Sequence, residues 1–336
     1  MILTIEEARA LLAGALRKTG YDAEEIRIIS DHLIDCELRG LSFGGLPRAL
    51  SVIERTLAAP VPRRPITVVK ESAVSASIDG GDHVGYLVAQ RATDIAIVKA
   101  RESGIAMVGA HETWYTGMFS WYLEQVTAAG FVGMVAGSGG PRVAPHGGTE
   151  GRFSTNPIAF GFPSSGHPVI WDIGTSAVML GEVVLRERLG ELLPEGLAFA
   201  PDGSPTRDPS AALAGAFTVW GGHKGSGLAM VVQLLGMLAG APAAPEKLRD
   251  CGFFLLVLDP AALTSPAAFK GKVDGFAESL RDTRPLDPQQ LVRVPFERSA
   301  REREARRVRN QIDVADAVYL ALTAFAQDAN PAGTRP

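Results

Sequence analysis

Cysteine is nearly absent: Cys36 and Cys251 are the only two in 336 residues, too few for a disulfide framework or a cysteine-rich zinc site. Positive charge is not in excess either. Lys and Arg number 33 against 37 Asp and Glu, a formal charge of −4, whereas a dedicated nucleic-acid binder carries a basic surplus. Every apolar run is broken by Gly or a charge before about 18 residues, so no transmembrane helix is expected. The first residues include Glu6 and Glu7 and lack the basic start and small-residue cleavage site of a signal peptide. Together these absences predict a soluble cytoplasmic protein with neither nucleic acid nor membrane as partner. What remains is close to the globular average, with 46% hydrophobic, 7% aromatic and 21% charged residues. The length corresponds to about two domains of roughly 150 residues. Glycine and proline, 37 and 22 residues, recur between apolar runs, as in a strand-and-helix fold with many tight loops.

The first sixty residues read as helices. Thr4 with Glu7, and Asp22 with Glu25, match a capping box, in which a side-chain oxygen satisfies the orphan N–H groups of the first turn. Apolar residues at helical spacing follow each, and His32 falls on the apolar face of the second. Three prolines within 59–66 mark a boundary or linker. Val74, Ala76 and Ile78 then alternate like a strand, with Asp79-Gly80-Gly81-Asp82 as its turn, and helical periodicity runs over 84–103 to Gly104. Ile105–Val108, Phe131–Ala136, Val169–Trp171 and Phe253–Leu258 are short apolar runs suited to buried strands. The segment 225–240 reads as a buried helix, and 297–327 as a helical tail, first charged and then apolar. Arg301, Arg303, Arg306, Arg307 and Arg309 of that tail read as a solvated face with internal ion pairs to Glu302 and Glu304. No internal repeat stands out.

Some segments carry chemistry. After the strand at 131–136 the chain reads Gly137-Ser138-Gly139-Gly140-Pro141-Arg142, with Arg142 where a G-x-G-x-x-G needs its last glycine. That reads as a turn, and an ordinary Rossmann domain is not supported. Gly221-Gly222-His223-Lys224-Gly225-Ser226-Gly227 places one lysine among four glycines at the mouth of an apolar helix. Bare backbone N–H groups, a helix N-terminus and an ammonium suit a phosphate or carboxylate, although a flexible loop with a solvated lysine has the same composition. Asp172-Ile173-Gly174-Thr175-Ser176 ends a strand, and Thr175 or Ser176 would serve as the N-cap of a following helix. Ser154-Thr155-Asn156-Pro157 reads as a turn. His111-Glu112 begins like H-E-x-x-H, but Tyr115 occupies the last position, and no histidine pair has metal-ligand spacing. His111, Glu112, Trp114 and Tyr115 form a cluster of proton donors just beyond the strand at 105–108, a candidate site.

In order and spacing these residues resemble the type 2 malate/L-lactate dehydrogenase family, which also includes sulfolactate, ureidoglycolate and diketogulonate enzymes and cyclic-imine reductases. The likeness covers nearly the whole chain. It is carried by Leu38-Arg39-Gly40 with Gly45 and Arg48; Val143-Ala144-Pro145 with Gly147-Gly148; Thr155-Asn156-Pro157; Asp172 with Thr175-Ser176; Leu193-Pro194-Glu195-Gly196; Asp202-Gly203 to Thr206 with Asp208-Pro209; and His223-Lys224-Gly225 with Gly227-Leu228. The resemblance implies a mixed α/β fold: a non-Rossmann NAD(P)-binding α/β domain over 63–294, plus a helical domain built from the terminal segments 1–62 and 295–330. It further implies NADH or NADPH as cofactor, a small-molecule carboxylate as substrate, and an intertwined homodimer. Cofactor contacts are implied for Thr155, Asn156, Pro157, Asp172, Gly174, Thr175, Ser176, His223, Lys224, Gly225, Glu297 and Arg298, and a grip on the substrate carboxylate for Arg48.

Three departures stand against the family pattern. The family's R-G-x-x-S-H-G-x-x-R, whose histidine donates a proton, has Phe43 and Gly44 at its serine and histidine positions. The histidine of N-S-x-H-[FY]-G falls on Glu112, and P-G-E reads Pro295-Phe296-Glu297. Glu112 therefore becomes the expected proton donor, with His111 and Tyr115 beside it, and it would need burial to hold its proton near neutrality. The resulting expectation is hydride transfer between nicotinamide and C2 of a 2-oxo or 2-hydroxy acid. Cyclic imine-2-carboxylate reduction is an alternative, and so is a cofactor-binding homodimer that has lost catalysis.

Overall fold

The computed structural model describes residues 1–59, 61–245, 248 and 250–328, so Pro60 of the expected linker and the last two positions of 295–330 lie outside the described residues. The helices are α1 (Ile5–Leu16), α2 (Ala23–Leu38), α3 (Leu46–Leu57), α4 (Gly85–Ser103), α5 (Phe119–Ala128) and α6 (Leu180–Leu189). They continue with α7 (Pro209–Ala214), α8 (His223–Leu238), α9 (Pro266–Arg281), α10 (Glu297–Arg309) and α11 (Asp316–Asp328). The main strands are β1 (Thr67–Glu71), β2 (Ser75–Val84), β3 (Ile105–Trp114), β4 (Val132–Ser138), β5 (Ile158–Phe162), β6 (Val169–Ile173) and β7 (Cys251–Leu258). The chain divides into two compact units. One comprises the described residues of Met1–Pro62, Gly181–Leu192 and Ser299–Pro336, the other Arg63–Leu180 and Leu193–Arg298.

The first unit is helical. Thr4 and Asp22 cap α1 and α2, each closing the box with its glutamate. Leu12, Leu16, Ile29, Leu33, Leu50, Ile53 and Leu322 are fully or almost fully buried, each such side chain contributing roughly 1.5–3 kcal/mol. The expected tail is two helices, because Ile312–Asp313 forms a short antiparallel ladder with Ile2–Leu3 between them. Its arginine face is also only partly solvated. Arg306 pairs with Glu302 as expected, but its Nη1 donates to the Glu37 carbonyl at 2.6 Å, and Arg303 lies 3.3 Å from the buried Asp35. Asp35 accepts from Arg39 Nε at 2.5 Å, so this arginine row meets an acid that α2 has buried.

The second unit is built on a seven-stranded mixed sheet in the order β1-β2-β3-β7-β4-β5-β6. β2 and β3 run parallel, joined by α4, and the other neighbours are antiparallel. β4 leads to the antiparallel β5 rather than to a crossover helix, so the glycines after it open no Rossmann helix. Period-two alternation puts Phe253, Leu255 and Val257 of β7 into one core with α4 and α5, and Phe254 and Leu256 into another with α8. Two local expectations are overturned. Residues 79–82 do not turn: β2 continues through them as a bulge, with Asp79 opposite His111 and His83 opposite Thr113. Gly81 there has φ +60°, and a side chain on it would fall on the Arg64 carbonyl. Correspondingly β3 does not stop at Val108; it runs to Trp114, so His111 and Glu112 lie within the strand. Among the described residues no helix is long and apolar enough to cross a membrane.

Candidate active site

His223, Lys224 and Gly225 form the first turn of α8 rather than a loop. Gly222, with φ +60°, precedes the helix and offers no side-chain cap. The first N–H groups of the helix therefore point outward without intrahelical acceptors, at the positive end of its dipole. Gly225 is buried, and a Cβ there would collide with the Trp220 carbonyl oxygen. His223 and Lys224 are exposed on this turn. His146 joins them from the loop after Pro145, its ring 6.2 Å from that of His223 and its backbone N–H donating to Ser226 Oγ at 3.2 Å.

Backbone hydrogen bonds bring the expected turns to this same place. The Thr155 carbonyl accepts from both the N–H and the hydroxyl of Thr175, at 3.0 and 3.1 Å, while the Thr175 carbonyl accepts from Trp220 N–H at 2.8 Å. Asn156, fully buried at φ +35°, donates from Nδ2 to the Ala229 carbonyl and to Gln233 Oε1 on α8, at 2.8 and 3.0 Å. Its Oδ1 is buried and meets no donor among the described residues. Pro157 accepts from Gly137 N–H, and Gly174 lies against Met179. Neither Thr175 nor Ser176 caps a helix: α6 starts only at Leu180, and the Ser176 hydroxyl donates to the Val178 carbonyl at 2.6 Å. Asp172 caps a different helix, accepting Ser120 N–H at 2.8 Å at the start of α5. Glu297 accepts from Arg281 Nε at 2.6 Å and from Val294 N–H at 3.2 Å, and Arg298 is exposed.

The β3 cluster lies near the other end of α8. The His111 ring packs against Gly240, just past the helix. The sixteen residues of α8 span roughly 24 Å, which separates the His111 cluster from Lys224. Glu112 and Tyr115 have φ of +52° and +51°, rare for side-chain-bearing residues, where β3 meets the bulge of β2. Glu112 is not sequestered: its side chain is 32% exposed and its Oε2 lies 3.6 Å from Arg64 Nη2. That guanidinium also clamps Asp79 at 2.7 and 3.0 Å, and its hydrogen bonds hold the Asp79 carboxyl below the usual range. Tyr115 lies edge-on to Trp114, at 5.5 Å between ring centroids.

In the helical unit, Arg48 sits in the first turn of α3, nearly buried, with its guanidinium against Gly181, which Phe43 also approaches. A Cβ at Gly44 would meet Cys36 Sγ at 3.4 Å, an ordinary contact. Two polar residues had no role in the sequence reading. His146 was legible only as the residue between Pro145 and Gly147-Gly148. Glu37 is 1% exposed beside the altered 42–48 motif, and nothing local to it foretells burial.

The family model described as malate/L-lactate dehydrogenase matches residues 3–323. The L-sulfolactate dehydrogenase of Methanothermobacter thermautotrophicus is 32% identical over 293 residues, 84% of this chain and 86% of that protein. The Delta(1)-pyrroline-2-carboxylate reductase of Ancylobacter novellus is 31% identical, covering 96% of this chain and 97% of that protein. Among solved structures, a dehydrogenase from Sinorhizobium meliloti superposes with a TM-score of 0.87 at 32% identity, over 97% of this chain and 98% of the other. The chain belongs to the malate/L-lactate dehydrogenase family of NAD(P)-dependent oxidoreductases.

Proposed function

We propose that the protein moves a hydride between a nicotinamide dinucleotide and C2 of a small carboxylic acid, interconverting a 2-hydroxy and a 2-oxo acid. The observation that carries this reading is the convergence of Thr155, Thr175 and Trp220 on the first turn of α8, where bared amides, His146, His223 and Lys224 suit the phosphates of a dinucleotide. The buried, donor-less Asn156 Oδ1 adds an acceptor of the kind an amide ligand would satisfy. These residues fit NADH or NADPH, which when bound supplies the hydride. Arg48 is the residue we assign to the substrate carboxylate, since a planar guanidinium can grip it with two parallel hydrogen bonds. The apolar, solvent-facing side of α8 supports a homodimer.

Gly44 favours a second reading, reduction of a cyclic imine carboxylate. Adding a hydride to a ketone creates a basic alkoxide, and a positioned acid contributes about 10²–10⁴-fold to that step. Gly44 has no proton to give, and Glu112 is a third exposed with its Oε2 3.6 Å from Arg64 Nη2. A protonated imine accepts the hydride to become a neutral amine and needs no acid in that step. The test follows loss of reduced-nicotinamide absorbance with pyruvate-type acids and Δ1-pyrroline-2-carboxylate, using NADH and NADPH. Imine turnover well above ketone turnover supports the second reading; efficient ketone turnover rejects it and returns the proton to His111 or Glu112. No turnover with any substrate, despite cofactor binding, would reject both.

A further inference from the structure

Glu37, one residue before the end of α2, is 1% exposed. Its Oε1 accepts Leu46 N–H at 2.7 Å, at the first residue of α3. The N-cap of α3 is Gly45, which has no side chain to offer, and a Cβ there would collide with the Glu37 carboxyl. Pro47 has no N–H, and Arg48 N–H is already satisfied by the Gly45 carbonyl at 2.9 Å. The start of the helix that carries Arg48 is thus held by a side chain from α2. We propose that Glu37 is a positioning residue for Arg48, fixing the 42–48 segment as the cap of α3, and that its charge state sets how tightly the acid substrate is held. The inference rests on the reading of Arg48 as the carboxylate anchor.

The surroundings of Glu37 make that charge state variable. Burial pushes its carboxyl up to about 7, against the opposing pull of the Leu46 amide, Arg306 and the Ser42 hydroxyl, with Asp313 adding to the rise. Arg306, from α10, is itself shared with Glu302 at 2.6 Å and with the Glu37 carbonyl. Cys36 places its thiol against Gly44. His32, on the same helix, is pushed by burial down to about 3 and stays neutral near pH 7. Deprotonating Glu37 puts a negative charge in a dry site under the segment that must receive a carboxylate, and like charges repel most strongly where the dielectric is low. Affinity for the acid substrate therefore falls as pH rises through neutrality.

The test compares wild type, Glu37→Gln, Glu37→Ala and Arg48→Lys on pyruvate and Δ1-pyrroline-2-carboxylate from about pH 6 to about pH 8, with NADH affinity read by fluorescence. Wild type should show a several-fold rise in KM across this range with kcat changing less. Glu37→Gln keeps an acceptor for Leu46 N–H but cannot ionise, so its KM should lack that rise, while any slope due to substrate or cofactor persists. Glu37→Ala should raise KM near pH 6, where the wild-type carboxyl is neutral, and speed amide exchange at 46–48, leaving NADH affinity unchanged. A Glu37→Gln profile with the wild-type slope overturns the proposal, as does wild-type KM near pH 6 in a folded Glu37→Ala. Should Glu37→Ala not fold, the Glu37→Gln profile decides. Unchanged KM in Arg48→Lys instead rejects the Arg48 reading; raised KM there with unaffected Glu37 variants rejects only the role of Glu37.

Discussion

Glu37 and Lys224 are opposite cases of how a single charge is used. Glu37 is a buried acid whose folded value, about 7, stands above its ordinary 4.5. Between those two values the folded chain binds more protons than the unfolded one, so its contribution makes stability fall as pH rises through the window. Above neutrality the cost is complete, on the order of 3 kcal/mol. Glu37→Gln should therefore unfold at higher urea than wild type near pH 8, with the gap closing towards pH 4.5; a gap constant with pH would deny that Glu37 is neutralised on folding. Lys224 is the reverse, an exposed ammonium at a helix N-terminus. On the proposed reading its energetic value comes from a ligand anion rather than from the fold. Lys224→Ala should leave thermal stability within about 0.5 kcal/mol of wild type yet weaken NADH or NADPH binding, more so at low salt, where screening is least. Calorimetric titration at two ionic strengths checks it, and unchanged affinity would sink the assignment. Lys224 was legible from its glycine neighbours. Glu37 was not, because its burial is imposed by α3 and α10.

At the scale of elements, the helix starts in the N-terminal segment formed as read, whereas the extent of a strand was decided by its neighbours. The capping boxes at Thr4 and Asp22 need only residues three apart, and both formed. Asp79-Gly80-Gly81-Asp82 has the composition of a turn, but pairing with β3 pulls it into a bulged strand. For the same reason β3 outruns its apolar stretch: His111 and Thr113 are held by partners on β2, not by their own propensity. The start of α8 offers a test with an internal control. Gly225 has no room for a methyl group because the Trp220 carbonyl occupies it, whereas a methyl at Gly227 meets nothing within 4 Å. Gly225→Ala should lower both the melting temperature and cofactor affinity. Gly227→Ala should stabilise the helix by up to about 1 kcal/mol and leave affinity unchanged. Equal behaviour of the two variants would show that the close approach at Gly225 is not what shapes the turn.

At the scale of the whole molecule, α8 reads as a buried helix and is buried on one side only. Gly225, Ala229, Val232, Gln233 and Gly236 face inward, while Met230, Leu234 and Leu238 form a stripe that is 52%, 53% and 72% exposed. Apolar residues at that spacing gain most of their burial free energy from a partner. A second copy of the chain is the proposed cover. Leu234→Glu should shift the sedimentation mass from dimer towards monomer while unit-level folding, followed by circular dichroism, stays intact. A wild-type chain that sediments as a monomer would remove the basis for this reading.

The sequence alone determined the class of fold, the missing Rossmann fingerprint, the helix caps and the segments that supply the α8 cluster, because each depends on residues near one another in the chain or on a motif whose order is preserved. Tertiary structure decided what those residues do. Thr175 looks like an N-cap and is instead a hydrogen-bonded link between Thr155 and Trp220. Asp172, marked by the family resemblance as a cofactor residue, also caps α5. Glu112 occupies a catalytic histidine's place but is a third exposed beside Arg64, and Glu37, beneath an altered motif, is the carboxyl that burial pushes up to about 7. The physical reason is common to all four. Hydrogen-bond partners and solvent exposure are set by segments distant in the chain, and it is these, not residue type, that fix a polar group's protonation and reach.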